Sequence, residues 1–426
     1  MKRAFGIFLC GLLPLLLSAQ SFTPLLQLDQ PLGEQAQVYA FTEDAGVTLF
    51  FKEGQEARMY RLDDRMQVLQ TFEVQGLPPE DEQILLGFTN EPQSLSLIYM
   101  ARRDGSYHVL SVAKRDGSSL IEPLDMSRLG NHAYWGTFTY SGILHILRMP
   151  RESGTLRLCR FEGGSNFSTL EFALERPDFL EKTGYELTPI TESDQPELTD
   201  VYAPGKMYHY GDRLYLTLDE PGQTYLITID LVQGTKTEQR IDAANMPSTA
   251  SYLLPGQLVQ VAAGPDSLVC VVRDLGTLRP LVRYAYGSGD PIDIRAGELI
   301  RQDGRGGFQP LAGTADLLAD VGQSPYLAVS ANVVEDSLVE LYAGAVSVTQ
   351  VRGVTGVVLD EQKRSSHFRA MLSGRDWRAV HRSQTDMAVR RVQVYANKPH
   401  PTRFTWQGRS YLGYYDPVVG QYIIGN

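Results

Sequence analysis

Chemistry needs reactive side chains at workable spacing, and the histidines and cysteines of this chain do not supply it. The seven histidines, His108, His132, His145, His209, His367, His381 and His400, are scattered. They form no HExxH pair for a helix to turn to one face, and there is no G-x-S-x-G elbow to expose a serine nucleophile. His145 stands in the apolar run Ile143-Leu144-His145-Ile146 and reads as a packed core residue. Of the three cysteines, Cys10 lies in the N-terminal apolar run, while Cys159 and Cys270 lie in separate apolar strand patterns without CxxC spacing. They read as two independently buried thiols, and neither a metal nor a cofactor is expected. No catalytic residue can be named. A carboxylate pair for glycoside hydrolysis would be assembled from distant parts of the chain, so sequence spacing is silent on it.

Charge clusters are the remaining candidates. Between residues 171 and 200 there are nine acids and two bases, a local charge of -7. Calcium wants six to eight oxygens at fixed geometry and the D-x-D-x-D-G loop is missing, so this segment reads as a solvated acidic loop. The opposite bias lies between residues 363 and 391, where eight bases face Asp376 and Asp386, a local charge of +6. Planar guanidinium groups beside an aromatic ring suit an acidic glycan or polymer, and Arg369, Arg375, Trp377, Arg378 and Arg382 are the binding candidates. The competing reading has these arginines covering an exposed strand face or pairing with acids of the first repeating unit of the chain.

The whole chain has 426 residues and a formal charge of -11, which argues against general nucleic-acid binding by phosphate neutralisation. Its N-terminus has the three-part layout of a secretory signal: Lys2 and Arg3, an apolar run over residues 4–17, then Ser18-Ala19-Gln20-Ser21. Residues 1–21 are expected to be removed, leaving 22–426 as one exported domain, periplasmic or extracellular, with no later segment long enough to span a membrane as a helix.

These residues must be held by strands. With 39 Gly, 23 Pro and 22 Tyr, the chain is punctuated too often for long helices. A turn followed by a short strand recurs, with strands starting at Val47, Leu95, Ile143, Leu214, Leu268 and Leu338. The successive spacings are 48, 48, 71, 54 and 70 residues. The first three turns follow the same dipeptide, Phe41-Thr42, Phe88-Thr89 and Phe138-Thr139. Further strand patterns around each anchor make four strands per unit. A degraded seventh unit is readable from His367 through Trp377 to His381, then residues 387–395, then 403–406. Residues 411–424 read as a final hairpin turning at Asp416-Pro417, and the N-terminal strand over residues 22–28 is expected to pair into the last unit. The two long spacings mark insertions at 176–204 and 291–325. The second carries a Gly-rich stretch read as a flexible connection and a short helix near residues 314–321.

Four antiparallel strands repeated at this period match propeller blades, whose small sheets bury their faces only by packing on one another. The chain thus resembles the secreted bacterial β-propeller superfamily over nearly all of residues 22–426. WD and kelch patterns are absent, and the loops at Asp104-Gly105 and Asp116-Gly117 read as plain hairpin turns rather than Asp-boxes. The expectation is an all-β propeller of seven four-stranded blades, with six or eight as alternatives. Function is expected to be non-enzymatic binding of a protein or glycan partner at one end of the channel. The alternatives are a carbohydrate-active enzyme and an envelope assembly scaffold.

Overall fold

The computed structural model describes residues 24–34, 36–43, 46–75, 77, 83–125, 133–149, 154–163, 166–183, 186–191, 196–303, 307–335, 338–352, 358–380, 398–407 and 409–425. These residues form seven sheets, numbered here in chain order. Sheet 1 sets the pattern, with Gln37–Glu43, Gly46–Glu53, Glu56–Leu62 and Val68–Gln75 as consecutive antiparallel neighbours. The second strand is buried on both faces from Gly46 to Lys52. The fourth strand alternates and exposes Val68 and Leu69. This gradient recurs: Gln257–Ala263 of sheet 5 is buried nearly throughout, whereas Thr235–Asp242, the last strand of sheet 4, is mostly exposed. A strand buried on both faces requires a neighbouring sheet on either side, which excludes a two-layer sandwich and defines a β-propeller.

First strands face the centre and last strands face solvent. Successive first strands touch one another, as Gln83–Asn90 touches Ala133–Tyr140 and Ser248–Leu254 touches Tyr326–Glu335. Apolar clusters fill the gaps between sheets. Phe51, Tyr422 and Ile424 join sheet 7 to sheet 1, Phe41 and Phe88 join sheets 1 and 2, and Ile98 and Ile146 join sheets 2 and 3. Leu158 and Leu216 join sheets 3 and 4, and one large cluster links sheets 4, 5 and 6. The recurring Phe-Thr dipeptide now has a cause. The Phe41 and Phe88 rings lie 4.1 Å apart across one interface, and the Thr89 hydroxyl donates to the Phe161 carbonyl (2.9 Å) across the next.

Closure uses the N-terminal strand, as the sequence suggested. Pro24–Leu28 pairs antiparallel with Gln421–Gly425, placing Leu26 opposite Ile424 and Leu28 opposite Tyr422. Arg409–Asp416 and Gln421–Gly425 form the final hairpin. The expected seventh unit needs correction. His367 lies in Val358–Ser373, the third strand of sheet 6, paired with Leu338–Arg352. Sheet 7 consists of Thr402–Trp406, the final hairpin and the N-terminal strand, and residues 387–395 lie outside the described residues.

Both insertions are built into the structure. Residues 304–306 of the Gly-rich run lie outside the described residues, while the described part of the 291–325 stretch is structured. Its strand Ile300–Gln302 supplies the fourth strand of sheet 6, followed by Phe308–Pro310, and its helix Thr314–Gln323 packs Leu317, Leu318 and Val321 into the core. Arg301 pairs with Asp320 (2.6 Å), and Asp320 accepts from the Ser366 hydroxyl (2.5 Å), fastening helix to sheet. The first insertion adds Thr188–Thr191 in parallel to the inner edge of Gly205–Tyr210 in sheet 4. Leu198 and Tyr202 then pack on Ala328, Tyr342, Val346 and Val348, on the face of sheet 6 turned away from sheet 5. The acids Glu171, Glu175, Glu181, Glu186, Glu197 and Asp200 are exposed as expected, but the segment is no free loop. Phe179, Leu187, Ile190, Leu198 and Val201 anchor it in the core.

Candidate functional site

A concavity sits where the first strands of sheets 4, 5 and 6 begin. Three prolines immediately precede these strands: Pro204 before Gly205, Pro247 before Ser248 and Pro325 before Tyr326. A proline at a strand entry needs no ladder partner for its nitrogen, which suits a rim. Together with Tyr202, Asp219, Glu220, Pro221 and Thr249, they line a cavity of about 200 Å³ at that end of the central axis.

Neither carboxylate in this mouth is free for acid–base work. Asp219 accepts from Lys206 Nζ (2.9 Å), the Thr224 hydroxyl (2.8 Å) and the Ser251 amide (2.8 Å). Glu220 is gripped by Arg176, which also forks onto Asp178 (3.1 and 2.8 Å). The hydrogen bond from Arg176, ahead of the cost of burial, holds the Glu220 carboxyl below the usual range. A general acid needs the opposite shift.

The aromatic rim is also committed. The Tyr202 ring has Tyr326 at 4.8 Å and the Lys363 ammonium at 5.4 Å, and Lys363 lies 4.0 Å from Asp200. The Thr249 hydroxyl oxygen is buried in the mouth wall with no hydrogen-bond partner among the described residues. Behind it the polar contacts continue. Gln260 Nε2 donates to Thr224 Oγ1 (3.1 Å) and to the Ile241 carbonyl (3.3 Å), so Lys206, Asp219, Thr224 and Gln260 form one buried chain between sheets 4 and 5.

The candidates read from sequence are not assembled into one surface. Arg369 pairs with Glu340 on the adjacent strand (2.6 Å). Arg375 and Arg378 are exposed on the turn after Ser373, at the opposite end of sheet 6 from the mouth. Trp377 requires a correction, because it is 1% exposed and belongs to the core linking sheets 4, 5 and 6. Its positive φ of 61° turns it inward from the arginines, and its carbonyl accepts from Tyr284. Arg382 lies outside the described residues. The signal for the mouth in the sequence is the proline ahead of each strand start, at Pro204, Pro247 and Pro325.

Other candidates are structural. His145 is 2% exposed and stacks on Phe138 (5.0 Å), which also meets His209 (4.5 Å). Burial pushes both imidazoles down to about 4. Cys159 and Cys270 are free and buried, and Asp104 and Asp116 each accept an amide two residues on, as hairpin turns do. No trio of His, Cys, Asp or Glu suited to a metal occurs among the described residues.

No protein-family model matches the chain, and no curated protein matches it. Among solved structures, it is similar to the Nup133 β-propeller domain of Vanderwaltozyma polyspora, with 9% identity over 79% of this chain and 85% of that one, TM-score 0.28. It is also similar to the Dos1 propeller, with 10% identity over 78% and 95%, TM-score 0.25. A third similarity is to the dihydro-heme d1 dehydrogenase NirN in complex with DHE, with 11% identity over 78% and 67%, TM-score 0.30. Likeness at this level carries no argument about activity, and the assignment of the chain as a β-propeller rests on its strand order and burial.

Proposed function

We propose that the chain is exported after loss of residues 1–21 and works as a non-enzymatic binding protein, taking a protein partner at the mouth bounded by Tyr202, Thr249, Pro325 and Tyr326. The observation that carries this reading is that Asp219 and Glu220, the mouth carboxylates, are both held by cations of the chain itself. Hydrolysis of a glycoside needs one carboxyl kept protonated and a second free to act on the sugar or on water. A sugar platform needs an open aromatic face, and Tyr202 is flanked by Tyr326 and Lys363. What the mouth offers is a proline-edged recess of mixed polar and apolar lining with an unused hydroxyl at Thr249, which suits an inserted side chain of a partner.

The test compares capture of envelope proteins by the wild type, by Thr249→Arg, which fills the recess, and by the double variant Arg375→Glu with Arg378→Glu at the other end. A partner kept by wild type and double variant but lost by a folded Thr249→Arg supports the mouth. Loss only in the double variant moves the site to the arginines. Turnover of a glycan panel that disappears in Glu220→Gln would replace the proposal with the enzyme reading.

A further inference from the structure

A second cavity, of about 170 Å³, lies between sheets 4 and 5 beside the mouth, where Ala262 on its wall sits opposite Thr249, and it extends over the second to fourth strands of sheet 5. Its buried wall is formed by Gln260, Ala262, Val269 and Val271, while Arg283 and Asp242 are exposed at its edge and Arg273 is half-buried. Gln260 is 2% exposed, and its Oε1 has no hydrogen-bond partner among the described residues, although its Nε2 is doubly engaged. A buried acceptor left unpaired is costly, so the site calls for a donor. Arg273 repeats the pattern at the edge. Its terminal nitrogens donate to the Leu278 and Asp242 carbonyls (3.3 and 3.1 Å), and its Nε is buried without a partner among the described residues.

We propose that this cavity binds a free aliphatic α-amino acid. The ammonium donates to Gln260 Oε1, the carboxylate meets Arg273 Nε and the Arg283 guanidinium, and the side chain lies against Ala262, Val269 and Val271. A void of this size is well above what a single water needs, and it falls below the range of drug-sized ligand pockets, which matches a small zwitterion. Charge-assisted hydrogen bonds at one end and an apolar wall at the other distinguish this ligand from a plain anion, which leaves Gln260 unsatisfied.

Thermal shift and calorimetry on the chain without residues 1–21, with glycine, alanine, valine and leucine at about 10 mM, test the site. Valine or leucine should raise the melting temperature, glycine should not, and Arg283→Glu, an exposed change, should weaken binding by about tenfold or more. Gln260→Leu should abolish it; if that variant does not fold, Arg283→Glu decides alone. No binding by any of the four, or binding unchanged in Arg283→Glu, overturns the proposal and leaves Gln260 Oε1 to ordered water. Because Thr249 sits opposite Ala262, the separating variant is Arg283→Glu on the outermost strand of sheet 5, which should lose the amino acid and keep partner capture at the mouth.

Discussion

The Lys206 ammonium lies 2.9 Å from the Asp219 carboxylate, and the two side chains are only 1% and 3% exposed. Antiparallel register brings them together, because Lys206 sits opposite Thr217 and Asp219 bonds back to the Pro204 carbonyl through its own amide. Asp219 also accepts from sheet 5 through the Ser251 amide, so this pair ties two sheets to each other.

Removing one partner should therefore cost unequally. Asp219→Ala strands a buried ammonium and leaves the Ser251 amide and Thr224 hydroxyl without their acceptor, an expected loss of about 3–5 kcal/mol. Lys206→Met leaves a carboxylate that keeps two donors and should cost less. Urea midpoints of the two variants check the order, and equal losses would contradict this account of the pair.

The N-terminal strand should act as the clasp of sheet 7. Leu28 is 4% exposed and lies opposite Tyr422, so Leu28→Ala should destabilise by about 2–4 kcal/mol. Deleting residues 22–28 bares the edge of Gln421–Gly425, and bare edges recruit other chains. Light scattering should then report association, while a monomer of unchanged melting temperature would show that the clasp is dispensable.

Acid should loosen the contact between sheets 3 and 4. Burial lowers His145 and His209 to about 4 in the folded chain, against an ordinary value near 6.5. The unfolded chain then binds more protons between those values, so stability falls as pH drops from about 6.5 to about 4 and levels off below. Each histidine contributes at most about 3 kcal/mol over that window. Melting temperatures should fall less steeply with acid in His145→Phe than in wild type, and parallel curves would remove His145 from the explanation.

The thiols should be silent until the fold opens. Burial raises both, Cys270 to about 12, and neither is paired with the other. Titration of the chain without residues 1–21 with a thiol reagent should find none reactive in buffer and two in denaturant. Two unreactive sulfurs in denaturant would mean a disulfide.

Strands, their grouping in fours and the two buried cysteines were legible because alternation, turn residues and apolar density are local properties, repeated six times at comparable spacing. The same locality made Asp104-Gly105 and Asp116-Gly117 readable as turns, and it flagged the N-terminal strand as a candidate clasp. Local composition does not say which way a side chain points. The basic stretch near residue 375 looked like one surface, yet Trp377 is drawn into the core by the burial of its ring, and Arg369 is taken up by Glu340.

The acidic insertion reads as solvated because its acids far outnumber its bases, while its anchors are supplied from far away. The Ser330 hydroxyl, 134 residues on, donates to the Pro196 carbonyl, and Leu198 finds its cover on Ala328 and Val346. The chain by itself determined the repeating unit, since each small sheet is specified by its own residues. Only the tertiary arrangement decided the mouth, the locked carboxylates and the cavity beside Gln260, because each is made from sheets whose contact is set by packing rather than by order along the chain.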